Sequence, residues 1–121
     1  MALKNSQYDV KEGLDTMARM AHDNSRDKGF WDGITGCDPK VIPEKLCLIH
    51  SEVSETLEAY RNGKLDEYQE NGKPEGCPAE LADIVIRVGD LCGHMGWSLG
   101  SAVVRKMQYN AGRERMHGKV C

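Results

Sequence analysis

Two pairs of carboxylates in this chain have a type and spacing that could bind a metal ion. Glu52 and Glu55 lie in the segment EKLCLIHSEVSETLEAYR, and Glu80 and Asp83 lie in PAELADIVIRVGDL. Both segments predict amphipathic helices, on which residues three apart share a face. If the helices pack as neighbours, the four carboxylates converge. Like charges held together need compensation, and hard divalent cations such as Mg²⁺ provide it through oxygen ligands.

The apolar pattern indicates where these acids lie on their helices. The first segment has apolar residues at steps of three and four, which predicts one inward stripe formed by Leu46, Ile49, Val53, Leu57 and Tyr60. The second has a comparable stripe formed by Leu81, Ile84, Val85, Val88, Leu91, Cys92 and Met95. At about 100° per residue, each acid pair falls on the flank of its stripe, with Arg87 beside the second pair.

An ordinary solvated helix face is the simpler interpretation of any single acid pair. Glu67 and Glu70 have the same spacing without any such pattern around them. Two pairs on matching flanks of consecutive helices make the metal site about as well supported as this interpretation, and both stay open.

Composition excludes several classes of protein. The 121 residues predict a single domain, residues 1–121, and 16 basic against 19 acidic residues give a net charge of −3. That balance offers no general attraction to nucleic acid polymers. No apolar run is long enough to cross a membrane, and the N-terminal residues lack the apolar segment of a signal peptide. Five cysteines without a C-x-x-C pair predict a reducing, cytoplasmic location, and no histidine is assigned as a ligand.

Helical periodicity predicts an all-α bundle of about four helices. The helices are expected over residues 6–28, 43–62, 78–95 and 99–115. The segment 63–77 is expected to be a loop with one short helical turn around Asp66–Gln69, and no strand is predicted. Gly96 is expected to end the third helix, and Ser98 to cap the fourth. The spacing of Gly89 and Gly93 predicts close packing against another helix.

Two aromatic residues, Phe30 and Trp31, lie in a loop rich in Gly, Asp and Pro. Such residues often pin a loop onto the core, and this is the first interpretation. The second is a surface that stacks on a nucleobase, for which Trp31 is the candidate.

The fourth predicted helix carries Lys106, Asn110 and Arg113 at spacings of four and three, on one face. Beside a carboxylate and metal cluster, these side chains would hold phosphate oxygens. The alternative is a solvated basic face.

Together, the segments KLCLIHSEVSETLEAYR, PAELADIVIRVGDL and KMQYNAGRERMHGK resemble the MazG-like nucleotide pyrophosphohydrolases, over roughly residues 44–119. The resemblance implies an all-α domain that binds Mg²⁺, or Mn²⁺ in its place, through Glu52, Glu55, Glu80 and Asp83. It also implies cleavage of a nucleoside triphosphate to the monophosphate and pyrophosphate.

By the same resemblance, Lys106, Asn110 and Arg113 contact the nucleotide, and Lys106 also assists catalysis. Either Glu52 or Glu55 orients the attacking water. The domain is expected to form a homodimer or homotetramer. Ser51 stands where many members of the family carry a further Glu, a departure that bears on an additional metal ion and leaves the four ligands in place.

Two other functions are alternatives to a nucleotide pyrophosphohydrolase. A non-catalytic helical module that binds a partner protein would also have amphipathic helices, with the acids as a solvated face. A bundle that holds two iron ions needs Glu-x-x-His pairs, and neither helix has one at the acid positions.

Overall fold

The structure, a computed structural model, describes residues 2–35 and 38–120 and, of His117, the backbone alone. Its elements are α1 (Asn5–Asp27), α2 (Val41–Arg61), β1 (Tyr68–Glu70), β2 (Lys73–Glu75), α3 (Cys77–Met95), α4 (Leu99–Ala111) and a final 3₁₀ turn (Arg115–Gly118). The predicted all-α class is confirmed, with one small hairpin added. In the described part of the chain, no helix has the length and apolar character needed to cross a membrane.

Helix α3 lies between α1 and α2, and α4 packs against α1. The contact between α3 and α1 is close because two glycines of α3 face it. A Cβ on Gly89 would lie 3.2 Å from the Cα of Ala18, and one on Gly93 would lie 2.9 Å from the carbonyl oxygen of Ala18. This confirms the predicted close packing.

The two predicted helix boundaries between α3 and α4 are confirmed. Gly96 ends α3 in the left-handed conformation, with φ of 71°. The Ser98 hydroxyl accepts a hydrogen bond from the amide of Ser101 at 3.1 Å and so caps α4. The Asp15 carboxylate, on α1, accepts from the Gly100 amide at 2.8 Å, which ties the start of α4 to α1.

The connection between α2 and α3 differs from its prediction. Instead of a helical turn around Asp66–Gln69, β1 and β2 form an antiparallel hairpin in which Glu70 pairs with Lys73. The reason is the tight turn between them, where Asn71 and Gly72 have φ of 53° and 81°. An Asn-Gly pair favours this turn, whose twist matches that of paired strands.

Helix α4 ends at Ala111, four residues before the expected end. The amides of Gly112 and Arg113 bond to Tyr109 and Asn110, three residues back, so the last turn is tightened and not continued. Lys106 and Asn110 therefore share the helix, whereas Arg113 follows it. The prediction that all three lie on one helix face is wrong for Arg113.

The predicted inward stripe of α2 is mostly uncovered. Val53 is 50% exposed, Leu57 48% and Tyr60 60%, whereas Glu52 is only 6% exposed. In α3 the stripe is divided: Leu91 and Cys92 are buried, but Leu81 and Val85 are about half exposed. The reason is that, within residues 2–35 and 38–120, α2 packs extensively against α3 alone, and no other described element covers its second apolar face.

The cysteines follow the same division. Cys77 and Cys92 are buried free thiols, whereas Cys47, in the apolar run of α2, is exposed; helical periodicity, which predicts that Cys47 and Cys92 both act as small core residues, is therefore wrong for Cys47. Cys37 and Cys121 lie outside the described residues.

Candidate functional site

The neighbouring helices α2 and α3 bring together three of the four predicted acids. Glu52, Glu80 and Asp83 each offer one carboxylate oxygen, and these oxygens lie within 4.8 Å of one another. Below, these three residues are called the acid trio. Glu52 is buried, Glu80 is partly exposed and Asp83 is exposed, so the trio opens from the helix interface towards solvent.

Glu52 is the innermost member of the acid trio. Its Oε1 accepts a hydrogen bond from Nε of Arg87 at 2.8 Å, across the α2–α3 interface. Its Oε2 is buried and has no hydrogen-bond partner among the described residues. A buried carboxylate oxygen without a partner is costly, so this atom requires an explanation.

The charges of the acid trio oppose full ionisation. Partial burial, followed by the charges of Asp83 and Glu52, raises the pKa of Glu80. Partial burial and then the Glu52 charge raise the pKa of Asp83. A bound proton or cation would relieve this repulsion, because either one neutralises charge that the fold holds together.

Glu55 lies beside the acid trio and not within it. Its side chain is exposed, and the hydrogen bond that a protonated Glu55 can donate to the Glu52 carboxylate, followed by the Glu52 charge, raises the pKa of Glu55. Such a carboxyl holds a proton more readily than an isolated one. It can therefore exchange protons next to a site without being one of the three converging groups.

Two cationic side chains adjoin the trio. Arg87 is held by Glu52, as described above. Lys73, in β2, pairs with Glu75 at 3.1 Å, and its charge lowers the pKa values of Glu80 and Asp83 against the larger effects that raise them. The hairpin therefore places an exposed ammonium group near the acids, which sequence periodicity alone gave no reason to expect.

Lys106, on α4, and Arg113, just after it, gather around Tyr109, and nothing in the described residues joins them to the acid trio. Lys106 Nζ and Arg113 Cζ lie 5.5 and 5.6 Å from the ring centroid of Tyr109, so both cations gather around that ring. Helix α4 packs against α1, and the described residues show no extended packing of α4 against α2. Asn110 is exposed on the same helix.

Trp31 is buried, with 6% of its surface exposed. Its Nε1 donates to Oδ1 of Asp90 at 2.9 Å, and the His94 ring stacks on it with 3.9 Å between centroids. Lys45 Nζ lies 4.3 Å from the indole centroid. This arrangement matches the first interpretation, an anchor for the loop, and it leaves Trp31 no open face on which a base could stack.

A cavity of about 390 Å³ adjoins the acid trio. Glu52, Asp83 and Arg87 line one part of it, and Asn24, Phe30, Lys45 and Asp90 are among the residues that line the rest. Phe30 is 68% exposed, so the open aromatic surface in this loop belongs to Phe30 and not to Trp31. The volume is within the range of about 300–1,000 Å³ that small-molecule sites occupy.

Sequence reasoning missed Asp90, His22 and Lys45. Asp90 lies seven residues after Asp83, two helical turns further on the same face, and this spacing was the available signal. No sequence signal linked it to His22, whose Nδ1 lies 2.9 Å from Asp90 Oδ1, because that contact joins residues 68 positions apart.

Comparisons of the chain with models of protein families, with curated proteins and with solved structures gave no match. The functional assignment therefore depends on the site itself and on the motif residues that line it.

Proposed function

We propose that this protein is a Mg²⁺-dependent nucleoside triphosphate pyrophosphohydrolase of the MazG-like kind, which releases a nucleoside monophosphate and pyrophosphate. Mn²⁺ is expected to replace Mg²⁺. The proposed location is the cytoplasm, since the free thiols Cys47, Cys77 and Cys92 suit a reducing compartment.

One observation carries the proposal: the buried Oε2 of Glu52 has no hydrogen-bond partner among the described residues, and it belongs to a carboxylate that converges with those of Glu80 and Asp83 to within 4.8 Å. Solvated acids on a helix face would not produce it, because a solvated oxygen bonds to water. A cation held by Glu52, Glu80 and Asp83 would satisfy the oxygen and neutralise the repulsion within the acid trio. All three groups are carboxylates, and oxygen ligands of this kind suit a hard ion such as Mg²⁺.

When bound, Mg²⁺ would neutralise phosphate charge and make water more acidic. The protein's own residues would do the rest. Arg87 fixes the orientation of Glu52 through its hydrogen bond to Oε1 and leaves Oε2 as the oxygen that a cation could bind. Glu55, whose pKa is raised, is the group placed to accept a proton from the attacking water. This assigns to Glu55 the role that the sequence left open between Glu52 and Glu55.

The basic residues are proposed to act across a subunit interface. Lys106 and Asn110 lie on α4, which packs against α1 and away from the acid-bearing helix α2.

Helices α2 and α3 also leave an apolar face half exposed, formed by Leu46, Val53, Leu57, Tyr60, Leu81 and Val85. Burying such a face favours self-association. In a homodimer or a homotetramer with closed symmetry, Lys106, Asn110 and Arg113 of one copy would hold the phosphates at the acid trio of another.

Pyrophosphate release from a panel of nucleoside triphosphates, with Mg²⁺ and with a chelator, tests the proposal. Glu52→Gln, Glu80→Gln and Asp83→Asn should each remove most turnover. Glu58→Gln is the matched control, since it removes one charge from an exposed position of α2. Release of pyrophosphate by none of the nucleotides, or equal turnover in all four variants, would refute the assignment.

The second candidate is a non-catalytic module that binds a partner protein. The half-exposed apolar face of α2 and α3 favours it, since a partner other than a second copy could cover that face. This candidate predicts no divalent binding at the acid trio. Calorimetric titration with Mg²⁺ therefore distinguishes it from the enzyme.

A further inference from the structure

The two carboxylate oxygens of Asp90 differ in their hydrogen bonding. Its Oδ1 accepts from both His22 Nδ1 and Trp31 Nε1, each at 2.9 Å. Two strong donors occupy both lone pairs of that oxygen. Among the described residues, Oδ2 makes no hydrogen bond, and Asp90 lines the cavity beside the acid trio. The two donors fix the carboxylate and leave one acceptor for a ligand.

The distance from the acid trio suits one part of a nucleotide. Asp83, Arg87 and Asp90 follow one another along a face of α3, and seven residues of helix span about 10 Å. If the acid trio binds the phosphate chain, the far end of the nucleoside reaches the level of Asp90. Phe30 lines the same cavity and is mostly exposed, so it offers a base a ring to stack on at that end.

We propose that Asp90 selects nucleotides whose base presents an amino group, those of cytosine or adenine. This inference rests on the proposed function and adds its substrate class. The carboxylate only accepts hydrogen bonds, so it pairs with an exocyclic amine and repels a carbonyl oxygen at the same place. Lys45 and Asn24, which line the same cavity, can donate to the ring nitrogen that neighbours the amine in both bases.

Two nucleotide pairs that exchange the amino group for a carbonyl test this: dCTP against dUTP, and ATP against ITP. We expect kcat/KM to favour the amino member of each pair by about tenfold or more, because a hydrogen bond to a partly buried charged group is lost in the other. Calorimetric binding of the products dCMP and dUMP gives the same comparison without turnover.

Asp90→Asn is the decisive variant. Its carbonyl oxygen can still accept from His22 and Trp31, while its NH₂ replaces the free oxygen with a donor. The preference should therefore disappear or reverse towards dUTP. His22→Gln is the control: it perturbs the same network but keeps the carboxylate, and it should preserve the preference for the amino base.

The outcomes separate the two proposals. Equal rates for dCTP and dUTP in the wild-type protein, or equal losses for both nucleotides in Asp90→Asn, would overturn the role of Asp90 and leave the pyrophosphohydrolase proposal standing. A loss of preference in His22→Gln as large as in Asp90→Asn would reduce Asp90 to a structural residue. Absence of any pyrophosphate release would overturn both.

Discussion

Replacing Glu52 with Gln should stabilise the protein without divalent cations and destabilise it relative to wild type when Mg²⁺ is present. The structure gives the reason. The Oε2 of Glu52 is buried without a partner, which costs on the order of 1–3 kcal/mol. In Glu52→Gln, the carbonyl can still accept from Arg87, and the new NH₂ can donate to Glu80 or Asp83.

The magnitude follows from these two changes. Replacing the unpartnered carboxylate oxygen adds about 1–3 kcal/mol to the unfolding free energy. The Arg87 hydrogen bond contributes about 1 kcal/mol less when its acceptor becomes neutral. The net gain in unfolding free energy is about 1 kcal/mol, which corresponds to a rise in Tm of about 4 °C for a domain of this size. In wild type, Mg²⁺ at a hundred times its Kd adds about 2.7 kcal/mol, or roughly 10 °C.

The assay is thermal and urea unfolding of both proteins, with chelator and with Mg²⁺. We expect the order of stability to invert between the two conditions. Glu58→Gln, which removes an exposed charge from the same helix, should respond to Mg²⁺ as wild type does. A Glu52→Gln variant that is less stable than wild type with chelator, together with a wild-type Tm unchanged by Mg²⁺, would show that Glu52 is an ordinary buried ion pair with Arg87.

Three further predictions address pH, assembly and the composite site. Without divalent cations, Glu80→Gln should raise the unfolding free energy at pH 7, because it removes a carboxylate that its neighbours repel. This gain should vanish as the pH falls through the raised pKa of Glu80 towards its ordinary value of 4.5, since wild-type Glu80 then binds a proton and is neutral as well. Urea unfolding at a series of pH values measures the difference. Leu57→Asp should yield a monomer by light scattering, whereas wild type should not. Mixing inactive Glu52→Gln and Lys106→Ala chains should restore about a quarter of wild-type turnover, as expected if each site of a dimer draws on both copies; if each chain instead holds a complete site, mixing should restore none.

Local signals were enough to predict the helices. The boundaries at Gly96 and Ser98 follow from residues whose effects act within a single turn, whereas the early end of α4 at Ala111 was not predicted. The close approach of α1 and α3 was also predictable, because Gly89 and Gly93 leave room for a second backbone. The hairpin was missed although its Asn71-Gly72 turn is a known signal, since strands of three residues are too short to show alternation.

The candidate site was only partly predictable. The spacing of Glu80 and Asp83 predicted that they share one flank of α3. The prediction that α2 and α3 pack as neighbours then placed Glu52 close to them, as the structure shows. The network of His22, Trp31 and Asp90 could not be predicted, since it joins α1, a loop and α3 through contacts that are distant in sequence. Periodicity reports which face of a helix is apolar. It does not report which side chains from other elements reach that face.

In helix α2, the observed burial of side chains departs from what apolar periodicity predicts. Periodicity places Leu57 inside and Glu52 on the flank, yet in the folded chain Leu57 is 48% exposed and Glu52 is 6% exposed. Exposing an apolar stripe forgoes hydrophobic stabilisation, and burying a carboxylate with one unpaired oxygen costs free energy, so both features are unfavourable for an isolated chain. Departures of this kind are expected at functional sites. Helix α2 carries both departures. A bound cation would compensate the buried carboxylate of Glu52, and a second copy of the chain would cover the exposed apolar stripe that includes Leu57.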